Sequence, residues 1–158
     1  MEHLWAPWRN LYVKHPQEPK GDVFAAIAQS SDDAANHVLA RGKSCYAVLN
    51  VYPYNTGHLM VVPYRAVPDL DDLSDDELLE LMTMLKQMKT AVFAAFQPQG
   101  FNVGINLGSA AGAGIAEHLH VHLVPRWRGD SNFMTTTAET RVHPTDLESV
   151  YAAIKKHL

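Results

Sequence analysis

The run His118-Leu119-His120-Val121-His122 places an imidazole at every second position. On a β-strand, residues i, i+2 and i+4 share one face, so the three rings project together, about 6–7 Å apart along the chain. Leu119, Val121 and Leu123 then face the opposite way, into a core. With 9 His in 158 residues, a given His meets two more at i+2 and i+4 only about 0.3% of the time, so the pattern carries information. Imidazole changes charge near neutrality and serves as nucleophile, base or metal ligand. Three uses are open on this run alone. They are nucleophilic catalysis, a Zn²⁺ site in which two strand histidines need a third ligand from elsewhere, and plain solvation of three histidines on an exposed face.

The segment before it reads Asn106-Leu107-Gly108-Ser109-Ala110-Ala111-Gly112-Ala113-Gly114-Ile115-Ala116-Glu117. Three glycines and four alanines leave the backbone nearly bare. Amides of such a loop can approach a ligand closely and form an anion-binding concavity, although a flexible hairpin connection has the same composition. A metal would ask for an acid or thiol nearby, and alternation turns Glu117 away from the histidine face. The combination points to phosphate beside an imidazole.

The elements that must position these residues follow from periodicity and punctuation. Asp22 to Ala28 reads as a short helix. Val38–Ala40, a turn at Arg41-Gly42-Lys43, and Cys45–Val51 read as a hairpin, and Pro53–Gly57 is a loop by its turn residues. His58–Pro63 is the next strand. Ser74 and Glu77 form a capping box before a helix whose apolar stripe is Leu78, Leu81, Met82, Leu85, Met88, Val92 and Phe93, with its methionines as core filler. Phe101–Leu107 and Glu117–Val124 pair across the glycine-rich loop. Thr145 and Glu148 repeat the capping signature before a last helix within 144–158, whose Lys155, Lys156 and His157 suit the negative end of its dipole. The result is an α+β fold with an antiparallel sheet. A single domain over 1–158 is expected, with 1–20 as an irregular N-terminal arm.

Composition narrows the function. Hydrophobic residues make up 47% and charged residues 19%, with a net charge of −4, so a basic nucleic-acid surface is not expected. The chain has no apolar run long enough for a membrane helix and no signal-peptide pattern at its start. The lone Cys45, at the head of an apolar strand, reads as core and fits a reducing, cytoplasmic setting.

His-x-His-x-His followed by apolar residues resembles the histidine triad family. The resemblance extends to Leu49-Asn50 and Pro53–Pro63, and to Trp5-Ala6-Pro7-Trp8-Arg9, Pro125-Arg126-Trp127 and Gly129-Asp130-Ser131-Asn132-Phe133, which look like a bacterial branch related to diadenosine tetraphosphate phosphorylases. It covers roughly residues 4–135. It implies a five-stranded antiparallel sheet with two main helices, and homodimers or larger assemblies in which paired protomers extend the sheet. His120 is then the nucleophile that attacks an α-phosphorus to give a nucleotidyl-histidine. His118 and His122 orient it and stabilise phosphate charge, together with loop amides at Gly108, Ser109, Gly112 and Gly114. Asn50 matches the ribose-holding position, and Asn106 the polar residue near the leaving group or α-phosphate, in a loop one residue longer than usual. Trp5, Trp8 and Arg9 either wall the base pocket or pack at a dimer interface, with packing favoured, and His58 is expected to be structural.

Departures from the family pattern matter as well. Many relatives carry Gln and then Ser or Thr where this chain has Gly114 and Ile115. Many bacterial relatives build a zinc site from positions that match Asp22, Ala25 and Ala66, plus the first triad histidine, so no metal is expected here. No cofactor is expected beyond Mg²⁺ carried by the substrate phosphates. Three functions fit: hydrolysis at the α-phosphate of a (di)nucleoside polyphosphate or nucleoside phosphoramidate, phosphorolysis of diadenosine tetraphosphate, or a nucleotide-binding module with incidental turnover.

Overall fold

The computed structural model describes residues 21–130 and 145–158. The N-terminal arm with Trp5, Trp8 and Arg9, and the stretch Ser131–Phe133, lie outside the described residues.

Helix α1 (Val23–Gln29) starts where Asp22 caps it, the carboxylate accepting from the amides of Phe24 and Ala25. Strands β1 (Val38–Arg41) and β2 (Cys45–Leu49) form the expected hairpin. Its turn is held by the Glu80 carboxylate, which accepts from the amides of Lys43 and Ser44. Strand β3 (Leu59–Pro63) leads through a 3-10 turn to helix α2 (Asp75–Phe96), whose Ser74–Glu77 capping box forms as the sequence indicates. Strands β4 (Gly100–Ile105) and β5 (Val121–Arg126) follow, then helix α3 (Leu147–Lys155). The sheet is antiparallel throughout, in the order β1-β2-β3-β5-β4.

Alternation divides the sheet into two faces. Cys45, Ala47, Leu49, Leu59, Val61, Leu119, Val121 and Leu123 pack with α2 and α3. Tyr46, Val48, Met60 and Val62 pack with Phe24 of α1 on the other side. The histidines alternate with Leu119, Val121 and Leu123, so they share the α1 side. Cys45 is fully buried, and burial pushes its thiol up to about 12, which makes it core, as the sequence indicated. Among the described residues, no helix is long and apolar enough to cross a membrane.

Three expectations shift. The inner stripe of α2 is Leu81, Met84, Leu85, Met88, Ala91 and Val92, whereas Met82 and Phe93 are 58% and 53% exposed. The helix turns the i, i+4, i+7 row of Met84, Met88 and Ala91 toward the sheet instead. Helix α3 is capped by Asp146, which accepts from the Ser149 amide, and not by the Thr145–Glu148 box, because an aspartate is the better cap. Strand β5 begins at Val121, the partner of the last β4 residue, Ile105. The amide of Leu119 donates instead to the carbonyl of Val67, so His118 and His120 lie on the approach to the strand.

Gly57, immediately before His58, holds φ at +79°, and an added Cβ would touch the Phe96 ring and Pro125 at 3.4 Å. Gly57→Ala is therefore expected to lower unfolding free energy by about 1–2 kcal/mol, read by urea denaturation.

Candidate active site

The three triad rings are buried, at 0%, 6% and 8% exposure for His118, His120 and His122, so each polar contact they make is consequential. His120 Nδ1 lies 2.8 Å from the carbonyl oxygen of His118. A carbonyl only accepts, so Nδ1 carries the hydrogen and Nε2 carries the lone pair. Burial, joined by the charge on His118 and opposed by that backbone bond, holds the His120 pKa below 6.5. The same burial that lowers the pKa favours the neutral ring, whose lone pair is on Nε2.

His118 faces acceptors at both nitrogens, with Nδ1 2.6 Å from Asp22 Oδ2 and Nε2 2.8 Å from the Pro63 carbonyl. Both ring nitrogens are thus held by oxygen atoms. For Asp22, burial works upward, but the hydrogen bonds from His118 and from the amides of Ala25 and Phe24 outweigh it, so its pKa lies below the ordinary value.

The third ring is set by a relay. The Tyr54 amide donates to His58 Nδ1 at 3.0 Å, which places the His58 proton on Nε2. That proton points at His122 Nδ1, 2.9 Å away, so His122 bears its own hydrogen on Nε2 and is a donor there. Tyr54 also stacks on both rings, at 4.6 Å from His58 and 5.8 Å from His122. The loop that supplies Tyr54 is tied to the end of β5. Asn55 Nδ2 donates to the Pro125 carbonyl and to Asp130, whose carboxylate also pairs with Arg126.

The rings of His120 and His122 sit 4.8 Å apart at 73°, closer than the 6–7 Å of an ideal strand, because His120 lies before the regular pairing begins. Phe24 packs on His118 and His120 at 5.4 and 5.0 Å. Two residues join the cluster beyond those assigned to it from sequence, His58 and Asp22. His58 opens the strand whose Met60 lies opposite His122, and this register was its available signal. For Asp22 the available signal was its match to a position that relatives group with the first triad histidine in a zinc site.

The remaining sequence candidates lie farther out. Asn50 Oδ1 accepts from the Tyr52 amide at 2.8 Å, and its Nδ2 lies 3.6 Å from Met60 Sδ, which places it beside the same face. Asn106 follows the end of β4. Gly108 and Gly112, with φ of +75° and +90°, reverse the chain around Ser109. The amides of Ala111, Gly112 and Ala113 return to the carbonyls of Gly108 and Ser109. Those three amides therefore close a 3-10 turn, and the Gly112 amide expected to face an anion is spent within the loop. Gly114 leads into Ile115, which packs on the Phe24 and Met60 cluster.

The donor set does not fit a zinc ion. Asp22 spends its carboxylate on His118 and two amides, the other matched positions are Ala25 and Ala66, and among the described residues no group of three His, Cys, Asp or Glu side chains is arranged to hold a metal ion.

A five-stranded antiparallel sheet carrying three buried histidines at alternate positions defines the class of protein. The HIT domain profile matches residues 31–129, and the chain belongs to that histidine triad family. It is 47% identical over 152 residues to an AP-4-A phosphorylase of Mycobacterium tuberculosis, covering 91% of this chain and 77% of that protein. It is 37% identical over 95 residues to an asymmetrical bis(5'-nucleosyl)-tetraphosphatase of Schizosaccharomyces pombe, covering 60% of this chain and 52% of that protein. A Zn-bound histidine triad family protein from Mycobacterium smegmatis superposes with a TM-score of 0.69 at 25% identity, over 85% of this chain and 91% of that one. A hypothetical histidine triad nucleotide-binding protein of Sulfolobus tokodaii gives the same TM-score at 24% identity, over 86% and 91%.

The hydrogen-bond pattern fixes an expected ¹⁵N spectrum. At pH 7.5, His120 should be the Nδ1–H tautomer and should take up its second proton at a lower pH than an exposed histidine, while His58 and His122 should be Nε2–H tautomers. A His120 found as Nε2–H would contradict the assignment of its nucleophilic nitrogen.

Proposed function

We propose that the protein moves a nucleotidyl group from the α-phosphate of a dinucleoside polyphosphate to His120 and then to inorganic phosphate, as an AP-4-A phosphorylase does. The observation that carries this reading is the pinned Nδ1–H of His120, which commits Nε2 to attack. The 47% identity to a phosphorylase over 91% of the chain supports the substrate class and the acceptor.

With diadenosine tetraphosphate, Nε2 forms a bond to the α-phosphorus as the bond to the bridging oxygen breaks, and ATP leaves with that electron pair. His120 keeps its Nδ1 proton against the His118 carbonyl, which offsets the positive charge the ring gains. An oxygen of inorganic phosphate then attacks the same phosphorus, the N–P pair returns to Nε2, and ADP leaves. Two easier displacements replace one difficult one. His122, with its hydrogen on Nε2, donates to a phosphoryl oxygen as charge develops. His118 orients His120, Asn50 takes the ribose hydroxyls, and Asn106 with the Gly108–Gly114 loop borders the polyphosphate.

Water as acceptor is the second reading, favoured by the similarity to the S. pombe tetraphosphatase. Nucleoside phosphoramidates present the same α-phosphorus. The protein needs no resident metal in this scheme, because Mg²⁺ arrives on the polyphosphate. Sheet edge β4 exposes Asn102, Val103 and Gly104, with Val103 at 52%, which supports a homodimer joined there. A cytoplasmic setting suits the single buried thiol.

Incubation with diadenosine tetraphosphate, with and without phosphate, separates the readings. ADP plus ATP only with phosphate is expected, whereas AMP plus ATP regardless of phosphate would identify a hydrolase. His120→Ala should lower kcat by about a thousandfold or more while nucleotide binding persists, and retained turnover would remove His120 as nucleophile. EDTA should slow turnover and leave the unfolding midpoint unchanged.

A further inference from the structure

One carboxylate joins the first helix to the histidine cluster. Asp22 Oδ1 accepts from the amides of Phe24 and Ala25 at 3.0 and 3.1 Å. Capping α1 requires no more than that oxygen. The second oxygen, Oδ2, stands 2.6 Å from Nδ1 of the fully buried His118, whose Nε2 is held by Pro63 on the far side. The ring is gripped between the start of α1 and the end of β3. The carbonyl of that same residue receives the Nδ1–H of His120.

We infer that Asp22 is a positioning residue for the transfer reaction: its carboxylate holds the His118 ring and so fixes the carbonyl that aims Nε2 of His120. The inference rests on the phosphoryl-transfer reading above. Asp22 acts through His118 and touches no reacting atom. The arrangement is economical in parts. The helix whose cap is Asp22 also sends Phe24 against His118 and His120, so one residue secures the helix and the rings beneath it. A charge-assisted bond of this length is among the stronger single contacts a ring can make, and it lies where a shift of the His118 backbone would turn the nucleophile directly.

Two substitutions separate anchoring from capping. Asn and Ser are both good caps, so Asp22→Asn and Asp22→Ser leave α1 capped. Asn has one acceptor oxygen where the carboxylate has two, so it cannot serve both the α1 amides and His118 Nδ1 as Asp22 does, and a Ser hydroxyl is too short to reach the ring. Both variants should unfold within about 3 °C of wild type. kcat should fall about tenfold for Asp22→Asn and further for Asp22→Ser, with KM within about threefold. The far-downfield proton resonance expected of the His118 Nδ1–H bond should vanish in both. Wild-type kcat with that resonance intact would overturn the inference and leave Asp22 a helix cap. A lowered kcat with the resonance unchanged would overturn it too, since the effect would not pass through His118. Should the wild-type protein turn over no nucleotide, the reaction reading would fail by itself, and the resonance and its loss in Asp22→Asn would still decide whether His118 is anchored.

Discussion

The pairing of β3 with β5 is the constraint on which the site depends. Its register sets Leu59 opposite Leu123, Met60 opposite His122 and Val61 opposite Val121. Leu59 and Leu123 are fully buried, each contributing about 1.5–3 kcal/mol against exposure, so the register is held by the α2 side of the sheet. The opposite side inherits it. His58, just before β3, reaches His122, and Pro63, at the end of β3, offers its carbonyl to His118. A slip of one residue would turn every side chain of β5 to the other face and break both contacts together. The hydrophobic core thus fixes the histidine geometry from behind.

Backbone groups rather than side chains decide the protonation pattern. An amide at Tyr54, a carbonyl at His118 and a carbonyl at Pro63 each have one possible role in a hydrogen bond, and the rings must accommodate them. From these three fixed points follow the Nε2–H of His58 and His122, the Nδ1–H of His120 and the doubly bonded His118. Four adjacent imidazoles left to themselves would share many near-equal tautomers. Tying them to main-chain groups leaves one, and it is the one in which the central ring has a lone pair and its neighbour a donor. Preorganisation of this kind costs nothing further at the moment of reaction.

Much of this was legible in the residues. Alternation through His118–His122 gave the common face, capping residues gave the long helix, and Gly108 and Gly112 gave the reversal between β4 and β5. What escaped was long-range. His58 looks like a lone imidazole until β3 is laid beside β5, because its partner is 64 residues away. Asp22 reads as a lost zinc-site position until the start of α1 is placed over a histidine 96 residues later, where its carboxylate bonds the ring directly. The internal use of the Gly112 amide was hidden for a local reason. A bare backbone permits an anion cradle and a 3-10 turn equally, and composition alone does not choose between them.

The first helix illustrates how a short element can matter beyond its own stability. Seven residues long, α1 is too brief to persist alone, since helix nucleation is costly and isolated helices of that length are marginal. It is held by Phe24 in the core face of the sheet, by the Tyr46 hydroxyl donating to the Phe24 carbonyl at 2.8 Å, and by the Asp22 bond to His118. Two of these also bear on the histidines, Phe24 through ring contact and Asp22 through its hydrogen bond. Anything that bound beside His120 and pressed on Phe24 would be felt at the helix start and returned to His118 through the same carboxylate. The helix and the triad are therefore parts of one packed unit, and the ion pair that looks peripheral in sequence is the point where they join.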